Sequence, residues 1–239
     1  MAPRIPTGMR ATAALVKPLM LAVTKRDWAG SEHLPQDQGF IAVSNHATYV
    51  DPFTFAHFLY DNGHAPHFLA KASLFDLPVA GKMLTKLDQV PVHRGSAQAQ
   101  DAVDAAVKLL QRGDSIAIFP EGTLTKDPDL WPMKGRTGAA RMALEHHVPV
   151  VPVAQWGAHE LLAPHGKKLH PWPRKKIVVR AGPPINLDEF RNRPIDIETL
   201  RGATDRIMDT LISMVADIRG EEPPATPFDP RTRTSKEDS

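Results

Sequence analysis

What most constrains this chain is an alternation of two hydrophobic patterns between Phe40 and Ala181. Short runs with almost no polar residue, Phe40-Ile-Ala-Val-Ser44, Ser115-Ile-Ala-Ile-Phe119, residues 148–154 and residues 177–181, read as strands buried on both faces. Between them, apolar residues recur at helical spacing over residues 52–60, 79–87, 97–112 and 136–146. The third of these stretches sets Val103, Val107 and Leu110 on one face and stops at Gly113. Two shorter extended pieces, 67–70 and 90–92, and a closing helix over 197–218 complete the pattern. Strands separated by helices can pair in parallel, because each helix carries the chain back to the edge where it started. The expected fold class is therefore α/β, with a mostly parallel sheet covered by helices on both faces and an N-terminal amphipathic helical arm.

The chain's 239 residues, 42% of them apolar, suffice for one such domain over residues 27–219. Residues 1–26 carry Arg4, Arg10, Lys17, Lys25 and Arg26 and no acid. Within them Leu15, Leu19 and Val23 recur along a helical face, flanked by Val16 and Met20. No apolar run reaches the roughly 18 residues that a membrane span needs, and Lys17-Pro18 interrupts the longest candidate. The arm is thus expected to lie on an anionic membrane or to pack on the domain. From Gly220 onward Pro223, Pro224, Pro227 and Pro230 stand among charges, so residues 220–239 are expected to form a disordered tail. The absence of cysteine excludes disulfides, a thiol nucleophile and thiolate metal sites. A formal net charge of +2 does not point to a nucleic-acid partner.

Candidate chemistry falls where strands end. Asn45-His46-Ala47-Thr48-Tyr49-Val50-Asp51 follows the first buried run, at the kind of edge where open α/β sheets place ligands. A short turn can bring Asp51 back to His46. A carboxylate on one ring nitrogen fixes the tautomer and leaves the other nitrogen as a base. Asp51-Pro52 also reads as an N-cap followed by a first helical position. In Phe119-Pro120-Glu121-Gly122-Thr123, Pro120 ends a ladder, Gly122 permits a tight turn, and Glu121 sits at the same edge as His46. Val92-His93-Arg94-Gly95 places a guanidinium after an extended piece, where its planar fork suits a phosphate or carboxylate. Val148-Pro149-Val150-Val151-Pro152-Val153 reads as a buried strand with edge prolines.

In this order the four blocks resemble those of the glycerolipid acyltransferases, above all the 1-acyl-sn-glycerol-3-phosphate acyltransferase family. The resemblance covers residues 27–185, including Ala70-Lys71 ahead of Leu74-Phe75 and the late Gly182-Pro183-Pro184-Ile185. It implies transfer of a fatty acyl group from a thioester donor, acyl-coenzyme A or acyl carrier protein, to the hydroxyl of a lysophospholipid such as 1-acylglycerol 3-phosphate. It also implies a role in phospholipid biosynthesis; since no apolar run is long enough to span, a peripheral place on the cytoplasmic face of the membrane is expected, and no cofactor or metal is expected. On the ground of the resemblance His46 and Asp51 are the expected catalytic pair. Arg94, Glu121, Gly122 and Thr123 are expected to hold the acceptor, with Lys71 assisting at its phosphate. Leu124 stands where an arginine often follows the Phe-Pro-Glu-Gly-Thr block, and His93 where an acid often precedes the arginine, so the acceptor head group stays open.

Other readings fit less of the chain. Gly113-Asp114-Ser115-Ile116 is similar to an esterase block, but Ser115 starts a strand where a nucleophile should follow one. His146 and His147 are adjacent and point apart on a helix, and no His-Glu-x-x-His occurs. A non-catalytic lipid-binding or membrane scaffold protein is the main alternative. The basic stretch Lys167-Lys168 through Arg174-Lys175-Lys176, with Trp172 inside it, suits a membrane interface, the phosphates of coenzyme A, or a solvated loop.

Overall fold

A computed structural model describes residues 5–93 and 99–230. Its strands are β1 (Thr24–Ala29), β2 (Phe40–Val43), β3 (Pro66–Lys71), β4 (Val90–Val92), β5 (Ser115–Ile118), β6 (Val150–Trp156) and β7 (Lys175–Ala181). They form one sheet in the order β1-β7-β6-β2-β5-β3-β4. The five strands from β6 to β4 run parallel, as the sequence pattern predicts. β7 is antiparallel to β6, and β1 pairs with β7 in parallel. That reversal follows from the connection between β6 and β7, which contains only a single helical turn at Ala158–Glu160 and so does not carry the chain back.

The helices are α1 (Thr7–Val23), α2 (Asp51–Asp61), α3 (Ala80–Lys86), α4 (Ala99–Gln111), α5 (Gly138–Glu145), α6 (Asp188–Arg191) and α7 (Ile197–Arg219). α7 shows why such a stretch starts and stops where it does. Asp196 accepts from the Thr199 N–H at its start, and Gly220 takes the left-handed conformation at its end, φ 65°. Neighbouring residues of the central strands point to opposite faces. Ile41, Val43, Ile116 and Ile118 pack against α4, α5 and α7, whereas Phe40, Ala42 and Ala117 pack against α1 and α2. The sheet is therefore the middle of three layers.

Four local features differ from the sequence reading. β1 was not visible in the pattern, because Thr-Lys-Arg-Asp-Trp-Ala is an edge strand with little to bury. β7 and ion pairs from Asp27 to Arg180 and Lys176 hold it in place. Pro152 lies in an interior strand rather than at an edge. Its carbonyl accepts from the Gly182 N–H just beyond the end of β7, so the proline sits where the β6–β7 ladder runs out. Asp51 is not the N-cap of α2; Val50 holds that position, and the Asp51 side chain turns back to the preceding loop. The chain after Gly220, expected to be disordered, follows the surface as far as Pro230. The Lys134 N–H donates to the Phe228 carbonyl, and Lys134 pairs with Asp229. Residues 231–239 lie outside the described residues.

Candidate active site

The parallel strands deliver the candidate residues to one edge of the sheet. His46 follows β2, Glu121 to Thr123 follow β5, and Lys71 ends β3. Arg94 lies outside the described residues, two positions beyond the end of β4.

Backbone bonds fix the loop after β2. The Asn45 side chain pairs with Gln155 of β6 as a strand would, its amide donating to the carbonyl at 2.9 Å and its oxygen accepting from the N–H at 2.9 Å. The His46 N–H donates to Glu121 at 2.9 Å, and the His46 carbonyl accepts from the Thr125 N–H at 2.7 Å. The imidazole stacks on Phe119, with ring centroids 4.0 Å apart. Its rotation is thus set by packing before any substrate arrives.

Asp51 completes the pair. One carboxylate oxygen lies 3.2 Å from His46 Nδ1 and accepts from the N–H groups of Ala47 at 2.5 Å and Thr48 at 2.7 Å. Asp51 is buried, so its charge is stabilised by directed donors rather than by water. With Nδ1 donating to Asp51, Nε2 is the acceptor nitrogen. His46 borders a cavity, and no protein group among the described residues bonds Nε2. An imidazole that opens a free Nε2 onto the wall of a cavity has the geometry a general base requires.

The turn after β5 distributes its roles differently from the sequence reading. Glu121 is buried at 2% exposure and does not reach the cavity with a free oxygen. One oxygen accepts from His46 N–H and the other from Met133 N–H at 3.0 Å. Burial pushes its pKa up to about 8, opposed by these two donors. Gly122 has φ 73°, and its N–H is consumed by the Phe119 carbonyl. A Cβ at Gly122 would stand 2.8 Å from Cδ and Nε of Arg136, so the glycine makes room for that guanidinium. Thr123 and Lys71 border the cavity and are exposed. Leu124 is buried and presents nothing to the site.

Sequence reasoning did not single out two residues that the tertiary structure brings to the site. Arg136 borders the cavity beside Gly122 and makes no ion pair among the described residues. Its only sequence signal is a lone arginine ahead of α5. Gln155 ties the loop to α2: its side-chain oxygen accepts from Thr54 of α2, its amide donates to Ser44, and its backbone holds Asn45. A glutamine at the end of an otherwise apolar strand was the clue.

The cavity has a volume of about 550 Å3, within the range of ligand pockets. Met9, Val16 and Met20 of α1 form one wall, and Phe53, Ala56 and Tyr60 of α2 another. Phe68 and Leu69 of β3 and Met83 and Leu84 of α3 close it. It is a mainly apolar trough; His46, Thr123, Arg136 and Lys71 line it at the sheet edge, and Thr12, Lys17, His57 and Gln89 add polar groups elsewhere on its wall. The shape and chemistry suit a molecule with a long apolar part and a polar, anionic end. No group of metal-ligating side chains occurs among the described residues.

The family profile described as Acyltransferase matches residues 25–156, which hold the His46–Asp51 loop, β5 and the Glu121 turn. The chain belongs to the acyltransferase family. It is 31% identical to the 1-acyl-sn-glycerol-3-phosphate acyltransferase of Bacillus subtilis (strain 168), over 68% of this chain and 75% of that one. It is 34% identical to a chloroplastic 1-acyl-sn-glycerol-3-phosphate acyltransferase of Brassica napus, over 58% of this chain but only 39% of the plant protein. The crystal structure of the 1-acyl-sn-glycerophosphate acyltransferase of Thermotoga maritima shares the fold, with a TM-score of 0.66 at 22% identity over 90% of this chain and 81% of that one. No helix among the described residues is long and apolar enough to cross a membrane.

Proposed function

We propose that this protein is an O-acyltransferase that moves a fatty acyl group from acyl-coenzyme A or acyl carrier protein to the hydroxyl of a lysophospholipid such as 1-acylglycerol 3-phosphate. The observation that carries this reading is the His46–Asp51 pair, with Nε2 free on the wall of an apolar cavity. The acceptor hydroxyl gives its proton to Nε2 as its oxygen bonds the thioester carbonyl carbon. The tetrahedral intermediate then collapses with cleavage of the C–S bond, and the leaving sulfur takes the proton back from the imidazolium. Asp51 stabilises that imidazolium through Nδ1. A thioester is already activated, so the step needs no covalent enzyme intermediate, in keeping with a chain that has no cysteine.

In this reading the acyl chain occupies the trough between α1, α2 and α3. Arg136, Lys71 and Thr123 meet the anionic end of the acceptor, joined by Arg94 on the strength of its sequence block. Glu121 acts as a positioning residue that ties the backbone of His46 to Met133, and Gly122 supplies a turn and a space. The protein works peripherally on the cytoplasmic face of the membrane, with the outer face of α1 as anchor. The test is to supply the purified protein with acyl-coenzyme A or acyl carrier protein and a panel of lysophospholipids, and to follow thiol release and product mass together. One thiol released per acylated phospholipid is the expected result. Lipid binding without thiol release across the panel overturns the enzyme reading and leaves a lipid-binding protein.

A further inference from the structure

We infer that the turn and helix between Leu74 and Met83 form a second membrane-contacting surface, which together with the outer face of α1 seats the mouth of the cavity on a bilayer bearing anionic headgroups. The inference rests on the acyl-transfer reading only for what enters the cavity; the surface itself stands on exposure, rigidity and charge.

Val79 is 82% exposed, more than any other large apolar side chain among the described residues, and Leu77 is 48% exposed. Leu74 and Met83 flank them at 42% and 41%, and both also line the cavity, so this segment is part of its rim. Phe53 of α2, 47% exposed and also lining the cavity, stands on the same rim. Single exposed apolar side chains are ordinary, but four within ten residues around one opening are a contact surface. The turn that presents them is tightly built. Gly81 N–H donates to the Leu77 carbonyl at 2.8 Å, and a Cβ at Gly81 would lie 1.9 Å from the Phe75 carbonyl oxygen. The packing of the turn therefore holds Leu77 and Val79 out in water.

Charge identifies the partner. Lys71, Lys82 and Lys86 are exposed along this segment and make no ion pair among the described residues, against Asp76 and Asp88. Arg10, exposed on α1 and without an ion pair among the described residues, adds a further cation; the N-terminal turn of α1 abuts α3, the Cβ position of Gly8 being 3.2 Å from the Lys86 carbonyl oxygen. Apolar side chains exposed on the same segment as an excess of cations match the two layers of an anionic bilayer surface, headgroups outside and acyl chains within. A lipid could then pass between bilayer and cavity without crossing water.

The absence of cysteine makes a direct test simple. Leu77→Cys, Val79→Cys and, as control, Ser213→Cys on the opposite layer are each labelled with an environment-sensitive fluorophore and mixed with vesicles of mixed anionic and neutral phospholipid. Labels at 77 and 79 are expected to shift to the blue and brighten, and the label at 213 to stay unchanged. Unchanged emission at 77 and 79 while the protein co-sediments with the vesicles overturns the inference, as does failure to co-sediment at all. The double variant Leu77→Asp/Val79→Asp, checked by its melting curve, should bind the vesicles about tenfold or more weakly. It should still turn over a soluble short-chain acceptor. Equal vesicle binding by parent and double variant sinks the inference and leaves acyl transfer standing, whereas no turnover of the soluble acceptor by the parent sinks acyl transfer and leaves the labelling result to stand by itself.

Discussion

Replacing His46 by alanine removes the proposed base but not the bonds that hold its loop, because those run through its backbone N–H and carbonyl. His46→Ala is therefore expected to lower kcat by roughly 10²–10⁴ with a melting temperature close to that of the parent, read by turnover and calorimetry on one preparation. Asp51 differs, since its carboxylate oxygen also accepts from two backbone N–H groups. Asp51→Asn can turn an NH₂ toward those donors, so it should lose activity comparably and also about 1–3 kcal/mol of stability in a denaturant titration. The Arg136 side chain makes no ion pair among the described residues, and its backbone bond to Pro120 does not depend on the side chain. Arg136→Ala should leave the melting curve unchanged and raise KM for a phosphate-bearing acceptor by about 1.5–3 kcal/mol, with kcat nearly constant. A raised KM for the donor instead would assign Arg136 to coenzyme A.

At the scale of elements, α1 is apolar on two sides. Met9 and Met20 are buried and Val16 lines the cavity, while Leu15 and Leu19 are 71% and 63% exposed. Pro18 sits within the helix without ending it. Lys17 and Arg26 both pair with Asp61 at the end of α2, which fastens the arm to the helix that begins at Asp51. The arm thus packs on the domain, and Leu15 and Leu19 stay exposed on its other face. Leu15→Ser/Leu19→Ser should change stability by no more than about 0.5 kcal/mol, because surface positions rarely matter more. It should weaken binding to anionic vesicles, and the remaining binding should fall further with salt. Deleting residues 1–23 should instead lower the melting temperature, since it removes a wall of the cavity. Vesicle binding by the serine variant as tight as the parent's would exclude the outer face of α1 as anchor.

For the whole molecule, buried titratable groups set the dependence of stability on pH. Burial lowers the pKa of His57, His67 and His159, and takes His64 to about 4. The unfolded chain protonates these imidazoles near pH 6.5, whereas the native state resists, so acidification below about 6.5 favours unfolding. Glu121 works in the other direction, with its folded pKa raised to about 8. Between about pH 4.5 and 8 the native state keeps a proton that the unfolded chain has released, so this group makes stability fall as pH rises. In the acid part of that window the histidines outnumber it. Above about 6.5 they no longer titrate in the unfolded chain, and the glutamate remains. Denaturant midpoints measured from pH 4 to 9 should therefore peak near pH 6.5. Glu121→Gln should be less stable throughout, because its amide cannot accept from both His46 and Met133, and should show a flatter alkaline side. An unaltered alkaline slope would mean that Glu121 is not the group responsible.

The sequence by itself determined the α/β class, because uninterrupted apolar runs such as Phe40-Ile-Ala-Val must be covered on both faces and the periods between them are helical. It also marked His46 and Asp51, whose separation along the chain is short enough for one turn to close, so that local geometry brings them to 3.2 Å. What lay beyond one turn was not legible. The pairing of Asn45 with Gln155 spans 110 positions, and Arg136 reaches Gly122 only because the Pro120 carbonyl accepts its backbone N–H. Glu121 looks like a ligand-facing carboxylate in the sequence, yet tertiary packing buries it and gives both oxygens to backbone donors. The same holds for the edge strand β1 and for α1, since which face of an element is covered depends on what else the chain places there. Hydrophobic period is a local property of the chain; burial and hydrogen-bond partners are decided where distant segments meet.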